Sequence, residues 1–312
     1  VSALAFTLVA LLLVGPLPAM LARSSWPMRA PRAAVVLWQS IALAAVLSAF
    51  SAGIAIASRL FVVGPDGRPT ATVTSEIEAL GWPLWLLYVT VFALTLLVGA
   101  RLIVAVVQVA IATRRRRAHH RMIVDLLGSR ERRSVAKAHG LRILDVREPL
   151  AYCLPGVRSR VVVSEGTLTR LSPNEVDAIL THERAHLRAR HDLVLEMFTA
   201  VHAAFPRFVR SASALDAVRL LIELLADDAA VRAAGPTPLA RALVTCASGR
   251  APKGALAAGG PTTVLRVRRL GGRPNSVMLA VSAYLAAAAV LVVPTIAVAV
   301  PWLRELHRLF MA

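Results

Sequence analysis

Residues 172–186 read Ser172-Pro173-Asn174-Glu175-Val176-Asp177-Ala178-Ile179-Leu180-Thr181-His182-Glu183-Arg184-Ala185-His186. Ser172 is a good helix cap, Pro173 suits the first helical position, and Glu175 stands three residues after the cap. A helix starts there. Ile179, His182 and His186 recur at intervals of three and four, so they share one stripe of that helix. At about 100° per residue the two histidines are offset by only about 40°.

Two imidazoles one turn apart can meet on one zinc ion, and Glu183 between them is then placed beside the water that zinc activates. The glutamate would take the proton from that water and return it to a leaving amine. Charged residues in chance register on a solvated helix are the competing reading. The capped, half-apolar setting favours zinc, and one catalytic ion is expected.

A catalytic zinc needs a third protein ligand. His191 lies nine residues from His182, about 180° around a continuous helix, and reaches the same metal only if the helix breaks. The metzincin pattern is excluded, because Ala189 and Asp192 stand where it needs Gly and His. A later helix, about Ala214 to Ala234 and closed by Gly235-Pro236, carries Leu220, Glu223, Asp227 and Ala230 on one face. Glu223 is the candidate third ligand. Asp227, rather than Asp228, is the candidate carboxylate that holds a histidine ligand by its outer nitrogen.

Ahead of the zinc helix, Leu141–Val146, Leu150–Cys153 and Arg160–Ser164 are short β-like runs separated by Pro149 and by Pro155-Gly156. A stretch of helical character, Ala118 to Gly140, precedes them, and a helix from about His191 to Phe205 follows the motif and stops at Pro206. Residues Gly249 to Pro261 read as a mobile loop, and Val264–Leu270 leads into an apolar run. The other histidines have plainer readings: His191 as a helix start or packing residue, His202 as packing with oxyanion stabilisation as its alternative, and His119 and His120 as solvated. Cys153 reads as a small buried apolar residue.

Further out, the chain becomes too apolar for a soluble domain: 57% of its residues are hydrophobic and the mean hydropathy is +0.64. Runs at about 2–22, 33–58, 82–112 and 277–303 are long enough to cross a bilayer. The first lacks a basic segment ahead of it and reads as a retained span rather than a cleaved signal. Arg23, Arg29 and Arg32 after the first span, and Arg114 to Arg117 after the third, place those loops on the cytoplasmic side. The expected layout is an α+β, mainly α, polytopic membrane protein: three transmembrane helices in 1–112, a cytosolic zinc metallopeptidase domain in 113–276, and a fourth span with a short outer tail in 277–312. The net charge of +18 follows from this asymmetry and favours anionic lipid; no nucleic-acid-binding signature organises it. Cys153 and Cys246, both on the cytoplasmic side, are expected as free thiols.

His182-Glu183-Arg184-Ala185-His186, then Glu223-Leu224-Leu225-Ala226-Asp227, with three spans before and one after, resembles the BlaR/MecR family of membrane metallopeptidases. Leu150-Ala151-Tyr152-Cys153-Leu154-Pro155-Gly156 and Val161-Val162-Val163-Ser164 are similar to that family's segment before the zinc helix. The resemblance implies a gluzincin-type fold in the plasma membrane, zinc on His182, His186 and Glu223, and Glu183 as general base. It implies also that extended substrate pairs with the strand holding Ala151, Tyr152 and Cys153. The substrate it implies is a cytoplasmic BlaI/MecI-type repressor in signal transduction, sometimes cut after self-cleavage, for which Gly249–Thr263 is the candidate loop. Well-known members continue into an extracellular penicillin-binding sensor domain, which this chain, ending at Ala312, is expected to lack. The same constellation is similar to the HtpX and CAAX-endopeptidase family, which implies quality control or processing; the order of spans favours the first resemblance. A non-catalytic, zinc-stabilised receptor or scaffold is the alternative of another class, and the intact Glu183 stands against it.

Overall fold

A computed structural model describes residues 2–57, 73–127, 140–156, 159–205, 212–247, 256–257, 262–272 and 275–311. In chain order its helices are α1 (Ser2–Val14), α2 (Pro16–Arg23), α3 (Pro31–Ala57), α4 (Val73–Leu80), α5 (Trp82–Leu127), α6 (Glu165–Arg170), α7 (Pro173–Arg188), α8 (His191–Ala204), α9 (Ala212–Ala234), α10 (Pro236–Cys246), α11 (Thr263–Leu270) and α12 (Val277–Met311). A short 3₁₀ turn, Trp26–Arg29, joins α2 to α3. The strands are β1 (Leu141–Leu144), β2 (Ala151–Leu154), β3 (Arg160–Ser164) and β4 (Leu256–Ala257).

Four candidate membrane-spanning helical segments are present: Leu4–Arg23, Pro31–Ile56, Trp82–Leu126 and Val277–Ile296. The first is broken where Pro16 opens α2, because proline supplies no N–H to continue the ladder. The helix that carries the third continues past residue 112, where the span is expected to end. The helix runs on through Arg114–Arg117, since arginine is a good helix former and a basic run does not interrupt the backbone ladder. At 1.5 Å per residue α5 is roughly 69 Å long, more than twice a hydrocarbon core of about 30 Å. Its second half therefore exceeds what one crossing needs and forms an arm that carries Arg114–Arg117. Residues 58–72, between the second and third expected spans, lie outside the described residues, as do 128–139 of the stretch read as helical.

The sheet has the order β1-β3-β2-β4, with β1 parallel to β3 and the other pairs antiparallel. Val161, Val162 and Val163 are buried in β3, and all four residues of β2 are buried. One difference from the sequence reading lies at β4. The segment expected as a mobile loop pairs Leu256 with Cys153 and Ala257 with Tyr152; its neighbours 248–255 and 258–261 lie outside the described residues.

Two hydrophobic clusters flank the zinc-motif helix. One joins the spans to α8 and α9, with Leu13, Trp38 and Ile41 against Phe198, Val218 and Ile222. The other packs β1–β3 on α7 and α10 through Val163, Ile179, Leu180, Leu239 and Leu243. Helix α9 contributes to both, with Ala230 in the second. The spans therefore share a core with α8 and α9, and α9 continues into the core that holds α7.

Candidate metal centre

Helix α7 begins as its sequence predicts. The Ser172 N–H donates to Glu175 Oε2 at 2.9 Å in a capping box, and Pro173 occupies the first turn. Its inner stripe carries Ile179, His182 and His186, all essentially without solvent exposure. Antiparallel contact with α9 brings Glu223 and Asp227 onto that stripe.

His182 Nε2 lies 3.2 Å from His186 Nε2 and 3.4 Å from Glu223 Oε2, while His186 Nε2 lies 3.6 Å from Glu223 Oε1. Zinc bonds of about 2.0–2.2 Å at tetrahedral angles place ligand atoms about 3.3–3.6 Å apart, so the three side chains fit such an ion. They form a group able to hold a metal, and its members are those the sequence singles out. The outer nitrogens are engaged too. His182 Nδ1 is 3.0 Å from Asp227 Oδ1, which places Asp227, and not Asp228, behind the ligand. Asp228 instead accepts from Arg269 and Asn275.

His191 holds the other histidine. After α7 ends at Arg188, Arg190 adopts a left-handed φ of 52° and α8 starts afresh at His191. The helix does break, and His191 Nδ1 comes within 3.0 Å of His186 Nδ1. It thus stands behind the candidate ligand His186 rather than in the metal-binding group, and its reading as a helix start is incomplete. A non-glycine residue at positive φ was the local event that periodicity alone did not signal.

Arg266 is the residue that sequence reasoning missed. Buried to 1% exposure in α11, it donates Nε to Asp227 Oδ2 at 2.8 Å and Nη2 to Asp227 Oδ1 at 2.6 Å. Its Nη1 pairs with Glu223 Oε2 at 2.9 Å, and Nη2 stands 3.4 Å from His182 Nε2. One guanidinium thereby bridges both carboxylates and offsets half of their charge, which would otherwise be costly to enclose. The available signal was its register three residues after the buried Thr263, hidden because basic residues beside a span read as topology determinants.

The electrostatics follow from this enclosure. Burial opposes a charge on His182, but the Asp227 and Glu223 carboxylates outweigh it and hold the imidazole up to about 9. Burial keeps His186 down to about 3 and His191 down to about 4, so both rings are neutral donors of a lone pair or a hydrogen bond. Burial alone would raise Glu223; His186, His182 and Arg266 bring it down to about 2. Glu183 is pushed up to about 7, chiefly by burial. Neither of its oxygens has a hydrogen-bond partner of ordinary geometry among the described residues, and its neighbour is the weakly donating Cys153 thiol. A carboxyl poised near neutrality and left unpaired suits proton transfer.

Ala151, Tyr152 and Cys153 lie on β2, directly against α7. The edge of β2 away from β3 is taken at Tyr152 and Cys153 by β4 of the same chain. Cys153 and Cys246 are free and buried. His120 differs from its solvated reading: half-buried on the α5 arm, its Nε2 is 3.0 Å from the Tyr152 hydroxyl. His202 lies eleven residues beyond His191, about 16 Å along α8, away from the metal-binding group.

The profile of the family described as BlaR1 peptidase M56 matches residues 19–206. That stretch includes α7 and the two histidines and stops short of Glu223, Asp227 and Arg266, whose assignment stands on geometry. No curated protein and no solved structure matches the chain.

Proposed function

The chain belongs to the BlaR1 peptidase M56 family, and from that membership we propose that it is a membrane-embedded zinc metalloendopeptidase that cleaves a cytoplasmic protein, a transcriptional repressor of the BlaI/MecI type being the favoured substrate. The observation that carries the chemistry is the cluster of His182 Nε2, His186 Nε2 and the Glu223 carboxylate at tetrahedral-edge spacing, with Glu183 unpaired beside it. These three residues would hold the ion. Zinc there supplies a Lewis acid that polarises the scissile carbonyl and makes water acidic enough to be deprotonated near neutral pH.

The protein's own groups do the rest. Glu183 accepts a proton at its carboxylate from the attacking water and delivers it to the leaving amide nitrogen. Asp227 fixes the His182 ring through Nδ1, and His191 does the same for His186. Arg266 keeps Glu223 and Asp227 ionised and oriented. Strand β2 would offer main-chain groups to an extended substrate in place of β4, whose antiparallel pairing at Tyr152 and Cys153 is the model for that mode. That pairing supports the Gly249–Thr263 segment as the candidate for self-cleavage.

A cytoplasmic site is supported by Arg114–Arg117 at the emergence of the α5 arm, where positive charge marks the inner leaflet side. The test compares proteome-wide cleavage products in cells carrying wild type or Glu183→Gln, with zinc content measured on both proteins. Loss of one cleaved DNA-binding protein is expected. Loss across many damaged membrane proteins would point to HtpX-like quality control, and identical products with zinc retained would leave only a scaffold.

A further inference from the structure

An apolar cavity of about 960 Å³, counting its open mouth, lies between the spans and the helices α8 and α9. Its mouth is formed by Val14, Ala49 and Val98, exposed residues on the first three candidate spans, so it opens sideways toward lipid. Its floor includes Leu13, Trp38, Ile41, Ala45, Phe198 and Leu215, all buried. Water has little to bind on such walls, and the cavity suits hydrocarbon.

A polar group at this floor sharpens the choice of occupant. Trp38 is 2% exposed, and its indole N–H, a donor only, has no acceptor among the described residues. Leaving such a donor unpaired in an apolar surround is costly. Trp38 lies seven residues after Pro31, about 10 Å along α3 from its start, beside the basic Arg29 and Arg32. When those arginines lie among lipid head groups, the indole falls near the level of glycerol ester carbonyls, the interfacial depth that tryptophan favours.

We propose that this cavity is a binding site for one acyl chain of a membrane glycerolipid, whose ester carbonyl accepts the Trp38 indole N–H. The chain enters between α1, α3 and α5 and packs on Phe198 of α8 and Leu215 of α9. Leu215 stands eight residues before Glu223 on the same helix, about 12 Å along its axis. Lipid occupancy thus bears on a helix that carries a metal ligand.

The full chain is placed in nanodiscs of phosphatidylethanolamine and phosphatidylglycerol containing a trace of phosphatidylglycerol with a photoreactive diazirine on one acyl chain. Labelled peptides are mapped by mass spectrometry. Label is expected on Phe198, which the bilayer does not otherwise reach, as well as on the lipid-facing Leu96 and Leu97 as an internal reference. Ala45→Phe fills the floor and should cut Phe198 labelling by about tenfold relative to the reference, while Trp38→Phe, which keeps a ring but removes the donor, should cut it about fivefold. Ala49→Phe at the exposed mouth blocks entry without loading the core and serves if Ala45→Phe misfolds. Phe198 labelling unchanged by the mouth variant, or label confined to Leu96 and Leu97 in wild type, overturns the site. Glu183→Gln protein should label like wild type, so the result is independent of peptidase activity.

Discussion

His182 Nδ1 and Asp227 Oδ1, 3.0 Å apart and both fully buried, set how tightly the site can hold an ion. Asp227→Asn keeps the shape but weakens the grip on the ring and leaves Arg266 with a neutral partner. Zinc affinity, read by competition with a chromophoric chelator, should fall by about 10–100-fold. A proton competes for the same ring. His182 is held up to about 9 in the metal-free site, so below that pH zinc must displace a proton. Apparent affinity should therefore rise by about tenfold per pH unit from near 7 until it levels off around 9. Calorimetry in buffers of different ionisation enthalpy should detect about one proton released per zinc bound at neutral pH. A flat affinity across that window would show that the carboxylates do not charge the imidazole. The residues that meet here were largely legible in the sequence: His182, Glu183 and His186 because they lie within five positions on one capped helix, Glu223 and Asp227 because a helical turn sets their spacing.

At the scale of elements, α11 is small and its role rests on one side chain. Eight residues cannot form a stable helix alone, and α11 is docked by Arg266 between Asp227 and Glu223 and by Arg269 against Asp228 and the Met28 carbonyl. Arg266→Met preserves much of the apolar stem but strands the buried Asp227 carboxylate and the half-buried Glu223 carboxylate. Urea unfolding of the purified protein should show a loss on the order of 3–5 kcal/mol, and trypsin should cut sooner in the segment around α11. Restoration of stability by adding Asp227→Asn would identify the uncompensated charge as the cause. Helix–helix contacts in the spans depend on small residues in a similar local way: a Cβ on Gly53 would collide with Thr95, and one on Gly99 would approach Phe50 Cζ to 2.9 Å. Periodicity revealed each of these helices, but not which of them touch.

At the scale of the whole molecule, the long α5 helix ties the spans to the candidate metal centre. Arg101 donates to the Ala204 carbonyl at one end of α8, and Arg117 pairs with Asp192 at 3.1 Å and Glu196 at 2.6 Å near the other. Asp192 directly follows His191, so the arm braces the turn that supports His186. The proposed inward orientation has a direct check. Met122, 55% exposed on the arm, can be replaced by cysteine while Cys153 and Cys246 stay buried. A membrane-impermeant maleimide should leave Met122→Cys unmodified in intact cells and react after permeabilisation; labelling from outside would reverse the topology. By itself the sequence determined the four apolar spans, the capped zinc-motif helix, and the acidic stripe of α9, because each is written in residues within a few turns of one another. Only the tertiary structure decided that Arg266 closes the site, that His191 returns to His186, that β4 lies on β2, and that α8 and α9 share a core with the spans. Those outcomes join segments tens of residues apart, and such contacts follow from which faces pack together rather than from any local period.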